Sequence, residues 1–228
     1  IRLHGGHHFF AEGENRGINV WKGFQEKRSF KKADAFIAVS NYVKSHTATY
    51  LSYHNKPIEV ITNGYDVEKI ERKPLDENFT LAHIGSFLSE RNPQILWESL
   101  SELIHENEAF AKHFKLKLIG AVSKEVLQSI SDFKLDNFVH NLGYVSHEEA
   151  LVHQRSSQVL LLIEIDSEDT KCIIPGKLFE YMVSERPIIA IGPENADFAQ
   201  IIKETNTGTF FKYDELEALK TQILTCFE

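Results

Sequence analysis

The chain has 228 residues, 42% of them hydrophobic and 25% charged, enough for one large or two small globular domains. A formal net charge of −8 lacks the basic field of a general nucleic-acid binder. Apolar runs such as "VLLLI" at 159–163 fall far short of the roughly 20 residues that cross a bilayer, and Cys172 and Cys226 have neither disulfide-scaffold nor metal spacing.

In chain order, "IRLH" reads as the end of a strand, and the polar stretch 12–32 as helical. "AFIAVS" (35–40) predicts a short strand. "NYVKSHTATYL" (41–51) predicts a helix with Ser40 as its N-cap. "IEVITNGYD" (58–66) runs from a strand into an Asn-Gly turn, and the charged, aperiodic stretch 67–79 is the best linker. From there strands and helices alternate. "FTLAHIGS" is a strand closing at Gly85, and 92–114 is one long amphipathic helix opening at Pro93. "KLKLIGA" is a strand, "SKEVLQSISDF" a helix and "FVHNLGYV" a strand. "SHEEALVHQRSS" is a helix with a Ser146–Glu149 capping box, and "QVLLLIEI" is a buried strand. A helix opens at Pro175-Gly176, "PIIAIG" is a strand, "NADFAQIIKETNTG" a helix stopped at Gly208, "TFF" a strand, and the C-terminal segment an amphipathic helix. Such alternation predicts an α/β fold of right-handed βαβ units around parallel sheets. The unpaired opening strand and the unfinished last helix predict a fragment of a longer protein. Domains are expected at 1–72 and 73–228.

In an open α/β sheet, ligands bind at the carboxyl ends of the strands. That rule selects the loops at 85–93, 120–124, 143–147 and 164–177. Arg91 and Lys177 each stand near a following helix start. Lys177 is out of place in a first helical turn, which favours anions. Two cations beside bare N–H groups suit a diphosphate, and Glu180 suits a pair of sugar hydroxyls. The plain alternatives are a solvated Arg91, a Lys177–Glu180 pair within one helix, and glycines that merely turn the chain.

Other chemistries find less support. His4, His7 and His8 have no acidic partner at metal-ligand spacing, and His4 before Gly5-Gly6 better suits a cleft wall. No Walker motif, GxGxxG, GxSxG or Cys/His nucleophile pattern is present. Asp166 and Asp169 would suit a response-regulator-like domain, but that leaves the first 72 residues unexplained.

The ordered set "RLHGG", "ADAFIAVSNYV", "IEVITNGYD", "IGSFLSERNP" and "PGKLFEYMVSERPIIA" resembles glycosyltransferase family 4 over nearly the whole chain. The resemblance implies a GT-B fold, with two Rossmann-like parallel-sheet domains, the first incomplete. It implies a retaining transferase that moves a sugar from a nucleotide-sugar donor to a saccharide or lipid-linked acceptor in bacterial surface polysaccharide synthesis. It further implies no metal or other cofactor, no nucleic-acid partner, and a cytoplasmic location that allows peripheral membrane association at the inner face. By resemblance, His4, Arg91 and Lys177 are catalytic. Gly5, Gly85, Ser86, Tyr144, Val145, Cys172, Gly176 and Glu180 bind substrate. Ser86 stands where the family often has an arginine, and Cys172 where it has the first of two glutamates. Alternatives are a nucleotide-sugar epimerase of the same fold and a non-catalytic sugar-nucleotide binding module.

Overall fold

A computed structural model describes residues 2–3, 32–50, 56–65 and 73–228. The expectations for His4, Gly5, His7, His8 and most of 12–32 fall outside the described residues.

Two parallel sheets organise the chain. The first, in the order β1-β2-β3, joins Arg2–Leu3, Phe36–Ala38 and Ile58–Val60. The second has the order β6-β5-β4-β7-β8-β9, with β4 Phe79–Ile84, β5 Phe114–Ile119, β6 Val139–Gly143, β7 Val159–Ile163, β8 Ile188–Ile191 and β9 Gly208–Phe211. All its pairings are parallel. From β4 the chain steps outward to β5 and β6, then returns to place β7 on the other side of β4. The loops leaving β4 and β7 therefore diverge to opposite faces, and the crevice between their carboxyl ends is the switch point of the sheet.

The central strands read as continuous apolar runs because both their faces are covered. Phe79 and Leu81 of β4 point into a core with Trp97, Phe110, Val126 and Ile223. Ala82 and Ile84 point into the opposite core with Leu178, Tyr181, Phe198 and Ile202. The two faces follow the period-2 alternation of a strand.

The segment 92–114 departs from the one long helix predicted for it. Two helices form, Gln94–Glu106 and Glu108–His113, because Asn107 adopts an extended backbone and its side chain accepts the Phe110 N–H at 3.0 Å. An asparagine that caps competes with one that continues a helix. The predicted caps elsewhere are present. Ser40 Oγ accepts the Val43 N–H at 3.1 Å, and Ser146 and Glu149 form a reciprocal capping box.

The two sheets touch near Cys172. Its side chain is buried with Phe36, Ala38, Val39 and Val43 beside the first sheet. Close by, the Tyr42 N–H donates to Asp197 Oδ2 at 3.0 Å.

Candidate functional site

At the switch point the strand ends are joined by glycines that no other residue replaces cheaply. Gly85 has φ +118° and Gly120 φ +114°, a region costly for any side chain. A Cβ on Gly120 would lie 2.6 Å from the Gly85 carbonyl oxygen. The backbone ladder runs on through these turns. Gly85 N–H donates to Ile119 O at 2.7 Å, and Gly120 N–H to Gly143 O at 2.7 Å. A bare backbone floor therefore lies across the ends of β4, β5 and β6. Tyr181, from the Gly176–Val183 helix, fastens one edge of it: its hydroxyl accepts the Ile84 N–H at 3.0 Å and donates to Ile84 O at 3.3 Å.

Lys177 stands over this floor. Its ammonium donates to Ile84 O at 3.4 Å, and a Cβ on Gly85 would sit 3.6 Å from its Nζ. It does not pair with Glu180 along the helix. Glu180 instead accepts from Gln154 Nε2 at 3.3 Å. Desolvation, chiefly, and the nearby Arg91 charge lower the Lys177 pKa to about 8, against the partial opposition of Glu164 and Glu180. A desolvated ammonium with one long hydrogen bond to a carbonyl gains from an incoming anion.

Arg91 ends a short 3-10 turn, Ser89–Arg91, in the loop after β4. It is not a solvated surface charge. Its Nε donates to Glu164 Oε1 at 3.2 Å and its Nη2 to Glu164 Oε2 at 3.4 Å. Glu164 directly follows β7, and its side chain is 1% exposed. The loops of the switch point, one from β4 and one from β7, are thus tied across the crevice by a two-pronged ion pair. Sequence inspection did not select Glu164. Its position at the end of an apolar strand was visible, but its partner lies 73 residues away.

A second residue that inspection missed is His83, fully buried on β4. Its Nδ1 lies 3.2 Å from Leu161 O, its ring packs 4.4 Å from Phe87, and its Nε2 has no hydrogen-bond partner. A carbonyl only accepts, so Nδ1 carries the proton and Nε2 is a bare acceptor. Burial, and after it the Lys177 charge, hold the imidazole neutral far below its ordinary range.

The remaining sequence candidates divide by place. Gly85, Arg91 and Lys177 gather at the switch point, where Glu164 joins them. Ser86 is exposed beside Gly85, and Gly176 is exposed at the start of the Lys177 helix. Tyr144 is 82% exposed after β6, while Val145 packs against the second core. Cys172 is turned into the apolar cluster with Phe36 and Val43, with its thiol donating to Asp169 O at 3.4 Å. The acidic run near it is mostly exposed, and Lys171 pairs with Glu168 there. Among the described residues, no three of His, Cys, Asp and Glu gather where they would share a metal ion, and no helix is long and apolar enough to cross a membrane.

Comparisons with known proteins bear on this arrangement. Residues 78–228 match the family described as Glycosyl transferases group 1, and residues 2–69 match Glycosyltransferase Family 4. No curated protein sequence matched. Among solved structures, a mutant of TarM from S. aureus, in complex with Fondaparinux, alpha-GlcNAc-glycerol and UDP, is similar with a TM-score of 0.66 at 14% identity. The match covers 99% of this chain and 43% of that one. WaaG, a glycosyltransferase involved in lipopolysaccharide biosynthesis, gives 0.67 at 13% identity, covering 92% of this chain and 58% of that one. The pneumococcal O-GlcNAc transferase GtfA, in complex with UDP and GlcNAc, gives 0.65 at 15% identity, covering 92% and 41%. The chain therefore spans less than two thirds of each of these structures, and at such identities the likeness is one of fold: the two parallel sheets are those of GT-B glycosyltransferases.

Proposed function

The chain belongs to the Glycosyl transferases group 1 family, and from that premise we propose that its six-stranded half binds a nucleoside-diphosphate sugar at the β4–β7 switch point. The whole protein then transfers the sugar, with retention, to a saccharide or lipid-linked acceptor. Synthesis of bacterial surface polysaccharide, at the cytoplasmic face of the membrane, is the setting that fits such an acceptor.

One observation carries this reading: a desolvated Lys177 in the first turn of a helix, over a glycine floor and beside Arg91. The leaving group of the reaction is a nucleoside diphosphate. Negative charge grows on it as the glycosidic bond breaks, so groups aimed at that charge favour the transition state over the ground state. Lys177 supplies a charge that water does not screen, Arg91 a second one, and the helix N-terminus its dipole. In this scheme these groups, rather than a bound metal, meet the diphosphate. Glu180, one helical turn below Lys177, accepts the ribose hydroxyls in addition to its bond from Gln154. Tyr144 and Val145 line the path of the base. His4 and Gly5 are assigned to the acceptor side of the cleft by resemblance alone. In retaining transfer by front-face attack, the departing diphosphate takes the acceptor proton, so no protein base is needed at that step.

The test is calorimetric titration with UDP, GDP and ADP of the chain and of its Lys177→Ala and Glu180→Ala variants. Binding of one nucleotide, weakened by both substitutions, supports the reading. Equal affinity in all three proteins refutes the assignment of the site. A non-catalytic binding module is the second reading, favoured by the burial of Cys172 in the apolar cluster, where the family carries a glutamate. It predicts the same binding without sugar release from the donor.

A further inference from the structure

We propose that Glu164 is a positioning residue for donor binding, acting through Arg91: it fixes the guanidinium so that its Nη1 edge meets the diphosphate, and it cancels one of the two positive charges in the cradle. The proposal rests on the donor-site reading above and deepens it.

Glu164 is held at every polar group it has. Its N–H donates to Ile191 O at 2.9 Å, continuing the sheet. Its carbonyl accepts the Tyr213 hydroxyl at 2.8 Å. Its Oε1 also accepts the Ile165 N–H at 2.9 Å. With the side chain 1% exposed, the carboxylate has no second position to move to. Arg91, by contrast, sits in a loop with its side chain 24% exposed. The buried partner therefore sets the geometry of the more exposed one. A planar guanidinium gripped at Nε and Nη2 has one remaining orientation, and its unused edge is Nη1.

A buried carboxylate that loses its cation is strongly disfavoured, so an arriving diphosphate does not pull Arg91 away. The ligand shares Arg91 with Glu164. Of the four charges at the switch point, Arg91 is matched by Glu164. Glu180, one turn along the helix, accepts from Gln154 and offsets Lys177 only in part, which leaves Lys177 as the less compensated cation. The cradle is then attractive to a diphosphate yet able to release it, because a nearby fixed negative charge opposes the product.

Glu164 is the first residue after β7, and Arg91 lies in the loop after β4, the two strands that define the switch point. A pair placed there also holds the crevice at one width.

The experiment uses whichever of UDP, GDP and ADP the wild-type chain binds, together with the corresponding nucleoside. Affinities are measured for wild type, Glu164→Gln, Arg91→Ala and the double variant, with thermal melts of each. Gln is isosteric and keeps an acceptor for the Ile165 N–H. We expect Glu164→Gln to weaken nucleoside-diphosphate binding by about tenfold, because the loss of Arg91 positioning, on the order of 100-fold for a misplaced group, outweighs the gain from the removed negative charge, while the nucleoside affinity stays within twofold. In the Arg91→Ala background the same substitution should change nothing. An effect of Glu164→Gln that persists undiminished without Arg91, or that falls equally on the nucleoside, overturns the proposal and makes Glu164 a structural residue. So does an unchanged nucleoside-diphosphate affinity in folded Glu164→Gln. If Glu164→Gln melts too low to titrate, Glu164→Asp is measured instead, with the same two criteria. Binding of none of the nucleotides by wild type, with the melt intact, defeats the donor-site reading itself and is distinguishable from all of these.

Discussion

The two ends of the central strands β4 and β7 are built on opposite principles. At the amino end, Thr80, Gln158, Asp76 and Lys117 form a closed polar network. Gln158 Oε1 accepts the Thr80 N–H at 2.8 Å, Gln158 Nε2 donates to Asp76 O at 2.7 Å, and Thr80 Oγ1 donates to Asp76 Oδ2 at 2.8 Å. Lys117 Nζ donates to the same carboxylate oxygen at 2.5 Å. Toward the carboxyl end, about 10 Å along β4 from Thr80 by strand rise, His83 Nε2 has no partner and Lys177 is desolvated with one weak bond. Two glycines there hold positive φ. The same pair of strands thus carries a satisfied end, which stabilises the fold, and a less satisfied end, where the donor proposed above would supply the missing partners. Sites that bind charge are commonly less stable than they need be for folding alone.

The largest effect expected from this contrast is at Lys177. Replacing it by Met should weaken nucleoside-diphosphate binding by about 100-fold or more, the scale of losing a desolvated charge contact. The same change should raise the thermal midpoint, because it removes an ammonium whose burial disfavours its charged form. Differential melts and calorimetry check both halves. A lowered midpoint would erase the contrast between the ends.

The pH dependence of Lys177 sharpens the point, and its sign is fixed. Its pKa falls from 10.5 in the unfolded chain to about 8 when folded. Between those values the unfolded chain holds more protons, so stability rises with pH across that window and is flat for this group below about 8. The full swing is on the order of 3 kcal/mol. The difference between the wild-type and Lys177→Met stability curves should show it. Nucleoside-diphosphate affinity should move the other way, falling as pH rises through about 8 and the ammonium is lost.

At the satisfied end, Gln158→Ala should cost about 1–3 kcal/mol, because Asp76 and Thr80 lose partners while still partly buried. Nucleotide affinity should not change. A loss of binding comparable to that of Lys177→Met would mean the two ends are coupled rather than separate.

The smallest effect is expected for His83→Leu. It removes the unpartnered Nε2 together with the Nδ1–H bond to Leu161 O, two changes that oppose one another, so stability at pH 7 should change by less than about 1 kcal/mol. At acid pH the variant should be the more stable. The folded imidazole resists protonation while the unfolded one gains a proton below about 6.5, so the wild type loses stability as pH falls through that value. A strongly destabilised variant at neutral pH would mean that Nε2 is satisfied after all.

Most of the six-stranded half was legible from local pattern. Apolar runs marked β4, β5, β7 and β8, glycines closed β4, β5, β6 and β8, and Ser146 with Glu149 marked a cap. Asn107 was misread because an asparagine in a helical stretch either points outward or caps, and only the local backbone decides between the two. Of the candidate site, Gly85, Arg91 and Lys177 were selected by asking what lies at strand ends, and they stand together at the switch point. Glu164 and His83 were passed over because nothing in their own neighbourhoods marks them.

The sequence by itself determined the alternation of strands and helices, the glycines at their joints, and a lysine in a helical turn that does not favour one. These are properties of short segments, set by period, propensity and capping over a few residues. The tertiary structure alone decided that β7 returns beside β4. That placement brings Glu164 against Arg91, turns Cys172 into the apolar cluster beside the first sheet, and buries the ammonium of Lys177 above Ile84. Charge, unlike periodicity, acquires its meaning from what surrounds it. The partners here come from strands and loops far apart along the chain, and burial changes their energies more than their identities do.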